Sequence, residues 1–406
     1  MAEWINPTEL RSLFKLGDTV YVDGSTNEPV GLLNQLENMS ELHFIQQAIG
    51  SVNKRDLSTL GDRCTQETYF MTPYLRDGVK AKRVKFIPMQ MRAVYDHIAS
   101  QSIDIAMLLA AKDKNGDLRF GQNNAYATAA INSSKITIVE VSDAFVAPIG
   151  SQLVGDHADY LFASQTPASA YPLVAVDETS QKIGDYVAEL VADGDCIQTG
   201  VGAVPSAILR GLRNKSDLGL HTGLIDSGAM DLIKAGNMNS RYKAVDSGIH
   251  ITGMSRGGTE LQAWLAEEES VQFRCANYTH EISIIQQIDN FVSINSAVEI
   301  DLFGQVNAEV VNGRQISGTG GSVDFMRAAK SSKGGRSIVA LSSTARKGSI
   351  SRIVNKVEVV TALRTDVDIV VTEFGVAHLK SASLAERAEA LIQIAHPDFR
   401  DQLTSS

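Results

Sequence analysis

Cysteine is scarce in this chain of 406 residues, which contains only Cys64, Cys196 and Cys275. The three residues are odd in number, lie far apart, and form no C-x-x-C pair. The sequence therefore predicts neither a disulfide framework nor a zinc site. We expect reduced thiols and no metal centre.

The chain also lacks a long apolar run and an excess of positive charge. No run approaches the ~20 apolar residues of a membrane span, and residues 1–18 do not have the pattern of a secretory signal. There are 37 lysines and arginines against 47 aspartates and glutamates, which gives a net charge of −10. Nucleic acids and anionic membranes bind basic faces, so neither is an expected partner. A cytoplasmic location is expected by default.

The chain does have enough apolar residues for two cores. Hydrophobic residues make up 44% and charged residues 21% of it, as in ordinary globular enzymes, and its length exceeds that of most single cores. Runs of consecutive apolar residues, rich in β-branched side chains, alternate with segments of helical period. They lie at 84–88, 102–110, 135–141 and 368–374. The expected fold class is α/β, with mostly parallel sheets covered by helices.

Two segments of similar plan predict two similar α/β domains. Residues 17–36 and 194–212 each read Gly-Asp, strand, glycine-containing loop, proline and helix. Pro29 and Pro205 would both lie in the first helical turn, where a missing N–H costs little. Chance is the alternative, because strand–loop–helix units are alike in many proteins.

A domain boundary is expected between 150 and 182. Residues 151–172 contain two prolines, many small and polar residues and little periodicity. We place the N-terminal domain at 1–178 and the C-terminal domain at 179–406.

The first candidate ligand loop is Gln198-Thr199-Gly200-Val201-Gly202-Ala203-Val204-Pro205. It follows a short strand and opens a helix, so its backbone N–H groups can face an anion at the positive end of the helix dipole. It is not a dinucleotide fingerprint, since Pro205 holds the third glycine position and no P-loop lysine follows. A tight strand-to-helix turn without a ligand is the alternative.

The second candidate loop contains Gly318, Gly320 and Gly321 directly before a helical pattern. Such a run permits close backbone approach to a ligand and can direct several N–H donors at an oxyanion. A flexible surface turn is the alternative. We favour a ligand loop, because Val323 and Phe325 should anchor it in a core.

At these loops the chain resembles the 4-hydroxybutyrate CoA-transferase and acetyl-CoA hydrolase family, part of the class I CoA-transferases. The resemblance is clearest from about residue 180 to the end, where the motifs are long and in the family's order. They are QTGVGAVP (198–205), LGLHTGLIDSGAMDLIKAG (218–236), NSAVEIDLFGQVNAE (295–309), GRQISGTGGSVDFMRAA (313–329), TDVDIVVTEFGVAHLKSASLAERAEALI (365–392) and IAHPDFRDQL (394–403). The N-terminal half matches more loosely, through 17–29, 86–91 and 102–141.

The resemblance implies two open α/β domains of similar topology that hold coenzyme A as an acyl-CoA substrate. It implies CoA-binding roles for Gln198, Gly200, Val201, Gly202, Ala203, Val204, Val298, Gly320, Gly321 and Lys347. Gly200 to Val204 would contact pantetheine and phosphates, and Val298 with the Gly320-Gly321 pair would line the acyl end. For Lys347 a solvated surface position is the commoner explanation. The expected partners are a short-chain acyl-CoA and a small carboxylic acid, in a homodimer or tetramer or beside an active paralogous subunit.

The resemblance also exposes a missing carboxylate. In the family a glutamate attacks the thioester and later carries CoA as a glutamyl thioester. His221-Thr222-Gly223 matches that motif, so glycine stands where the glutamate is expected, and Gly228 and Asp231 keep the alignment in register. In the N-terminal half, Glu28-Pro29 also lacks the histidine that precedes this pair in many transferases.

Three explanations remain open. The chain could be a hydrolase or lyase-like variant in which Asp226, Glu299 or Glu28 serves as general base. It could be a transferase whose nucleophile comes from elsewhere, or a non-catalytic acyl-CoA-binding subunit. Asp226 could instead cap a helix, and Glu299 could be a hairpin carboxylate. If the rest of a transferase site is kept, Gly223→Glu is expected to create acyl transfer.

The histidines receive little weight in this interpretation. A buried histidine satisfied by backbone groups is the commoner state for His221. His280 shows no ligand spacing, and we assign it no role.

Overall fold

The computed structural model describes residues 2–171 and 175–404. Tertiary contacts divide this part of the chain into two compact units. The first unit contains the residues up to 171 together with Thr252–Tyr278, and the second contains the remainder. The sequence prediction placed 179–406 in one domain, whereas Thr252–Tyr278 belongs to the first unit.

Backbone hydrogen bonds explain why Thr252–Tyr278 belongs to the first unit. The N–H of Ser255 donates to the Gln122 carbonyl at 2.9 Å, and the N–H of Phe273 donates to the Gly150 carbonyl at 2.9 Å. These partners are far apart in sequence, so no local pattern indicates them.

The first unit is built on a nine-stranded sheet. Across it the order is Glu3–Trp4, Tyr160–Ser164, Ser134–Ser142, Ile103–Lys112, Thr19–Val22, His43–Ile45, Thr65–Thr68 and Val84–Phe86. These strands pair in parallel. Leu118–Phe120 pairs antiparallel with Ile103–Lys112. The helices that begin in this unit are Pro7–Ser12, Val30–Gln35, Arg76–Lys80, Met91–Ala99, Ala127–Ser133, Thr259–Leu265 and Ala276–Thr279.

The central strand Ile103–Lys112 shows why its sequence is continuously apolar. Ala106 and Leu108 face one hydrophobic cluster, and Ile105 and Met107 face another on the opposite side of the sheet. Successive side chains point to opposite faces, so a strand covered on both faces needs apolar residues at every position. The predicted α/β class is confirmed.

The second unit contains a six-stranded sheet. Its order is Gly219–Leu220, Cys196–Thr199, Phe291–Asn295, Arg336–Ala340, Ile369–Thr372 and Gly375–His378. The last strand is antiparallel to its neighbour and the others pair in parallel. The helices are Glu178–Glu189, Ala203–Gly211, Ser227–Lys234, Ile282–Ile285, Ser322–Ser331, Leu384–Gln393 and Pro397–Thr404.

Shorter elements complete the described chain. The further strands are Leu224–Asp226, His250–Thr252, Met254–Arg256, Val271–Phe273, Glu299–Asp301, Val306–Asn307, Val310–Val311, Arg314–Gln315, Thr344–Ala345, Ile350–Ser351 and Ile353–Val354. The 3-10 turns are Ser25–Asn27, Leu57–Thr59, Pro73–Leu75, Gly155–His157 and Leu212–Asn214.

The described part of the boundary segment, residues 151–171, contains more regular structure than its sequence indicated. Residues within it form the strand Tyr160–Ser164, which pairs with both Glu3–Trp4 and Ser134–Ser142. The strand has only five residues and no alternation of buried and exposed side chains, so its sequence shows no clear period. Among the helices of residues 2–171 and 175–404, none is both long and apolar enough to cross a membrane.

Candidate functional site

Three segments singled out in the sequence leave neighbouring strands at one edge of the second unit's sheet. Cys196 pairs in parallel with Gly219 on one side and with Phe291 on the other. The carboxyl ends of these strands therefore meet, and the segments 200–204, 221–223 and 296–299 follow them. In open α/β sheets this edge is where ligands bind.

The first glycine loop is open at its backbone. Gly202 has φ 124° and ψ −173°, a region that is essentially restricted to glycine. A Cβ added at Gly200 would meet no atom within 4 Å, and one at Gly202 would meet Pro205 Cδ at 3.9 Å. Val201 is 39% exposed. The loop thus leaves room for a ligand against its main chain.

The helix that follows this loop supplies N–H donors. It runs from Ala203 to Gly211, and its N-cap Gly202 makes no side-chain hydrogen bond to it. The first N–H groups of a helix have no partner within the helix and favour an anion. The contacts of Gly200 to Val204 with phosphates or pantetheine amides stay predictions, and the open loop leaves room for them.

Gln198, a predicted CoA contact, makes hydrogen bonds to the neighbouring strand, and its contact with CoA stays a prediction. Its side chain is buried, and its Oε1 accepts hydrogen bonds from Ser293 Oγ at 3.1 Å and Asn295 Nδ2 at 3.0 Å. Its Nε2 donates to Asn295 Oδ1 at 3.3 Å. The amide therefore links two parallel strands and fixes where the glycine loop leaves the sheet.

A buried imidazole lies between Gly223 and the second glycine loop. A Cβ added at Gly223 would lie 2.8 Å from His280 Cε1 and 2.9 Å from its Nε2, and one at Gly321 would lie closer still to Nε2. Gly321 is the N-cap of the helix Ser322–Ser331, and Gly320 before it has φ 60°. The structure thus brings Gly223 and Gly321 to the same side chain, which the sequence analysis had passed over.

The surroundings of His280 hold its ring in place. The side chain is 2% exposed, its Nδ1 is hydrogen-bonded with the Thr279 hydroxyl at 2.8 Å, and its ring centroid lies 4.4 Å from that of Phe325. Burial lowers the pKa of His280 to about 3. The imidazole is therefore neutral at pH 7. No local motif marks this residue, because its contacts are made through space.

His221 contacts Thr279, the residue that precedes His280. It is fully buried, and its Nε2 donates to the Thr279 carbonyl at 3.1 Å. This is the backbone-satisfied histidine that the sequence predicted as the commoner state.

Asp226 and Glu299 both make the structural contacts that were their alternatives. Asp226 is the N-cap of the helix Ser227–Lys234, and its Oδ1 accepts from the Ala229 N–H at 3.1 Å. Glu299 lies in a short hairpin, and its Oε2 accepts from Asn307 Nδ2 at 3.3 Å. A catalytic role for either carboxylate stays a prediction.

Arg352 is a further polar residue of the second unit that the sequence analysis missed. Burial lowers the pKa of its guanidinium, whereas the Glu299 and Glu373 carboxylates raise it. The half-buried arginine therefore faces two acidic side chains.

Val298 and Lys347 stay predicted CoA contacts. The N–H of Val298 donates to the Asn307 carbonyl at 2.8 Å, beside the hairpin that holds Glu299. Lys347 is exposed, with φ 58°, in the turn after the strand Thr344–Ala345.

Glu28 lies in the first unit and lines a cavity of about 400 Å³, together with Lys54 and Tyr171. Burial raises the pKa of Glu28, although hydrogen bonds from Gln46 and Asn53 lower it. Its Oε1 accepts from Gln46 Nε2 at 2.9 Å. The carboxyl is thus half-buried in a polar setting.

Asp23 is buried in the loop that joins the strand Thr19–Val22 to the helix Val30–Gln35. Its carboxyl accepts from Asn27 Nδ2 at 2.8 Å, from the Gly24 N–H at 2.9 Å and from Asn123 Nδ2 at 3.1 Å. Burial nevertheless raises its pKa to about 7.

Within residues 2–171 and 175–404, no group of three His, Cys, Asp or Glu side chains is placed to hold a metal ion.

Comparison with known proteins gives consistent matches. Residues 257–406 match the family model described as the acetyl-CoA hydrolase/transferase C-terminal domain. The chain is 35% identical to a 4-hydroxybutyrate coenzyme A transferase of Clostridium kluyveri, over 93% of this chain and 91% of that protein. It is 31% identical to a succinyl-CoA:cyclohexane-1-carboxylate CoA transferase of Geobacter metallireducens, over 99% and 94%. The crystal structure of RipA from Yersinia pestis superposes with a TM-score of 0.89 and 30% identity, covering 99% of this chain and 96% of that one.

Proposed function

Because the chain belongs to the acetyl-CoA hydrolase and CoA-transferase family, we propose that it binds a short-chain acyl-CoA and acts on the thioester by hydrolysis or CoA transfer. The observation that carries this proposal is the open backbone at Gly200 and Gly202, directly before an uncapped helix N-terminus. Such a loop suits the phosphates and amides of CoA. A small carboxylic acid is the proposed product or acceptor.

Hydrolysis is the reaction favoured by the absence of a carboxylate at residue 223. Transfer by the family's route needs a carboxylate that first takes the acyl group and then carries CoA, and Gly223 offers none. Hydrolysis needs only water, a base and N–H donors for the oxyanion. Water attacks the thioester carbonyl and gives a proton to the base; the C–S bond breaks, and the departing thiolate is protonated. Asp226, Glu299 and Glu28 are the proposed bases.

The second candidate function is acyl-CoA binding without chemistry. It is supported by the hydrogen bonds that engage Asp226 and Glu299 in a helix cap and a hairpin. In this case the chain would be a binding or regulatory subunit beside an active paralogue. A homodimer or tetramer in the cytoplasm is the assembly proposed for the enzyme.

Two measurements on the purified chain separate these functions. The first is the melting temperature with CoA, acetyl-CoA and butyryl-CoA, which binding to the folded state should raise. The second is thiol release from the two acyl-CoA esters. A raised melting temperature with thiol release above background supports hydrolysis, and the same rise without release supports the binding subunit. An unchanged melting temperature at millimolar CoA contradicts both.

A further inference from the structure

We propose that His280 takes the place of a side chain at position 223, and that the Gly223–His280 pair excludes the covalent transfer route from this site. The inference rests on the proposed function, since it concerns which acyl-CoA reaction the site supports. It predicts that Gly223→Glu alone creates no acyl transfer while His280 is in place.

The nearness of His280, and not the backbone conformation, explains why residues 223 and 321 are glycines. Gly321 has φ −100°, and Gly223 lies outside the positive-φ region, so other residues could adopt both backbones. At each position, however, a Cβ would approach the imidazole more closely than real Cβ contacts allow. Both residues therefore leave space for the ring.

The ring has little freedom to move aside. It packs against Phe325 and is hydrogen-bonded to Thr279 at Nδ1, and His280 as a whole is only 2% exposed. Interiors are close-packed, so displacing such a ring strains its neighbours. Phe325 Cε2 also lies 3.5 Å from the position of a Cβ at residue 223. A side chain at 223 and the imidazole thus compete for one volume.

This competition has a chemical consequence. In covalent transfer a glutamate oxygen attacks the thioester carbonyl, CoA thiolate leaves, and a mixed anhydride forms. The thiolate then attacks the glutamyl carbonyl carbon of this anhydride, which gives a glutamyl-CoA thioester and releases the acid. The volume beside Gly223 instead holds a neutral imidazole whose Nδ1 is already bonded to Thr279. Restoring a carboxylate at 223 is productive only when the ring is removed.

A double-mutant cycle tests the proposal. Wild type, Gly223→Glu, His280→Ala and the double variant are incubated with butyryl-CoA and acetate, and acetyl-CoA formation is measured. Borohydride trapping and intact-protein mass detect a glutamyl-CoA thioester. We expect transfer in the double variant to exceed that of each single variant by about tenfold or more, with the thioester only in the double variant.

A second cycle with Gly223→Ala and His280→Ala isolates the steric part. Gly223→Ala should lower the melting temperature, and adding His280→Ala should cancel at least half of that loss, because the added methyl enters the vacated volume. Gly223→Ala that is as stable as wild type overturns the inference. So does transfer by Gly223→Glu alone at the rate of the double variant, or a folded, CoA-binding double variant that stays silent. Failure of every variant to bind CoA would instead refute the proposed function, and the stability cycle would still decide the steric claim.

Discussion

The two α/β units use the same strand–loop–helix plan to make opposite environments. In the first unit the loop after Thr19–Val22 is packed and polar, with Asp23 hydrogen-bonded to Asn27 and Asn123. In the second unit the loop after Cys196–Thr199 is glycine-rich and open, with Gly200 and Gly202 bordered by free space. The shared plan sets where a loop leaves the sheet, and the loop residues decide whether it packs against the protein or stays open.

The buried titratable groups differ in the same way. The first unit buries a carboxyl whose pKa is raised to about 7 by burial, and the second buries an imidazole whose pKa is lowered to about 3 by burial. Both shifts favour the neutral form. Their contributions to stability therefore have opposite dependence on pH.

Among changes that test the contrast between the two loops, Gly202→Asp is expected to have the largest effect. It places a β-carbon in a region restricted to glycine and a negative charge at the proposed anion site. We expect CoA affinity to fall by about 100-fold or more, measured by calorimetry. Gly202→Ala, which adds no charge, separates the backbone effect and should lower the free energy of unfolding by about 1–3 kcal/mol. Gly200→Ala, with open space at its Cβ, is the matched stability control; CoA affinity unchanged in Gly202→Asp would refute the loop assignment.

Asp23→Asn sharpens the comparison through pH. The folded carboxyl keeps its proton to about pH 7, whereas the unfolded one loses it near its ordinary pKa of about 3.9. The folded state thus binds more protons in this window, so the carboxyl makes stability fall as pH rises from about 4 to 7. Urea unfolding should show the variant gaining about 4 kcal/mol relative to wild type between pH 4 and pH 8. A difference that is the same at both pH values would contradict the burial of an acid.

His280→Asn should act in the opposite direction. Its folded pKa is lowered to about 3, so the unfolded state binds more protons below its ordinary pKa of about 6.5. Stability from this group is present above pH 6.5 and is lost as pH falls towards 3. The variant should lose about 2 kcal/mol less than wild type between pH 7 and pH 5. If the variant and wild type lose the same unfolding free energy between pH 7 and pH 5, the imidazole is not buried as described.

The smallest expected effect concerns Asp226. Asp226→Ala removes the N-cap and should cost about 1 kcal/mol of unfolding free energy, whereas Asp226→Asn keeps an accepting oxygen and should cost less. Thiol release by Asp226→Asn distinguishes a cap from a base. Loss of release in a fully stable Asp226→Asn would assign the base role, and retained release would leave the cap alone.

The sequence predicted what local patterns control. Continuous apolar runs predicted the buried strands, and the Gly200 and Gly202 positions predicted an open loop before a helix. The capping alternative for Asp226 was also visible locally, because a short acidic side chain preceded an amphipathic segment.

What sequence reasoning missed depends on contacts between distant segments. The place of Thr252–Tyr278 in the first unit is fixed by hydrogen bonds to Gln122 and Gly150. His280 meets Gly223 and Gly321 only in the folded chain. In the sequence, Gly223 indicated only a missing glutamate. In the structure, the imidazole of His280 lies against the position that a side chain at 223 would take.

The most direct test of the account is the intact mass of the wild-type chain incubated with butyryl-CoA and then treated with borohydride. The account predicts an unmodified protein mass under conditions in which CoA raises the melting temperature. A protein-bound CoA thioester, or its reduced product, mapped to a carboxylate of the wild-type chain would contradict it.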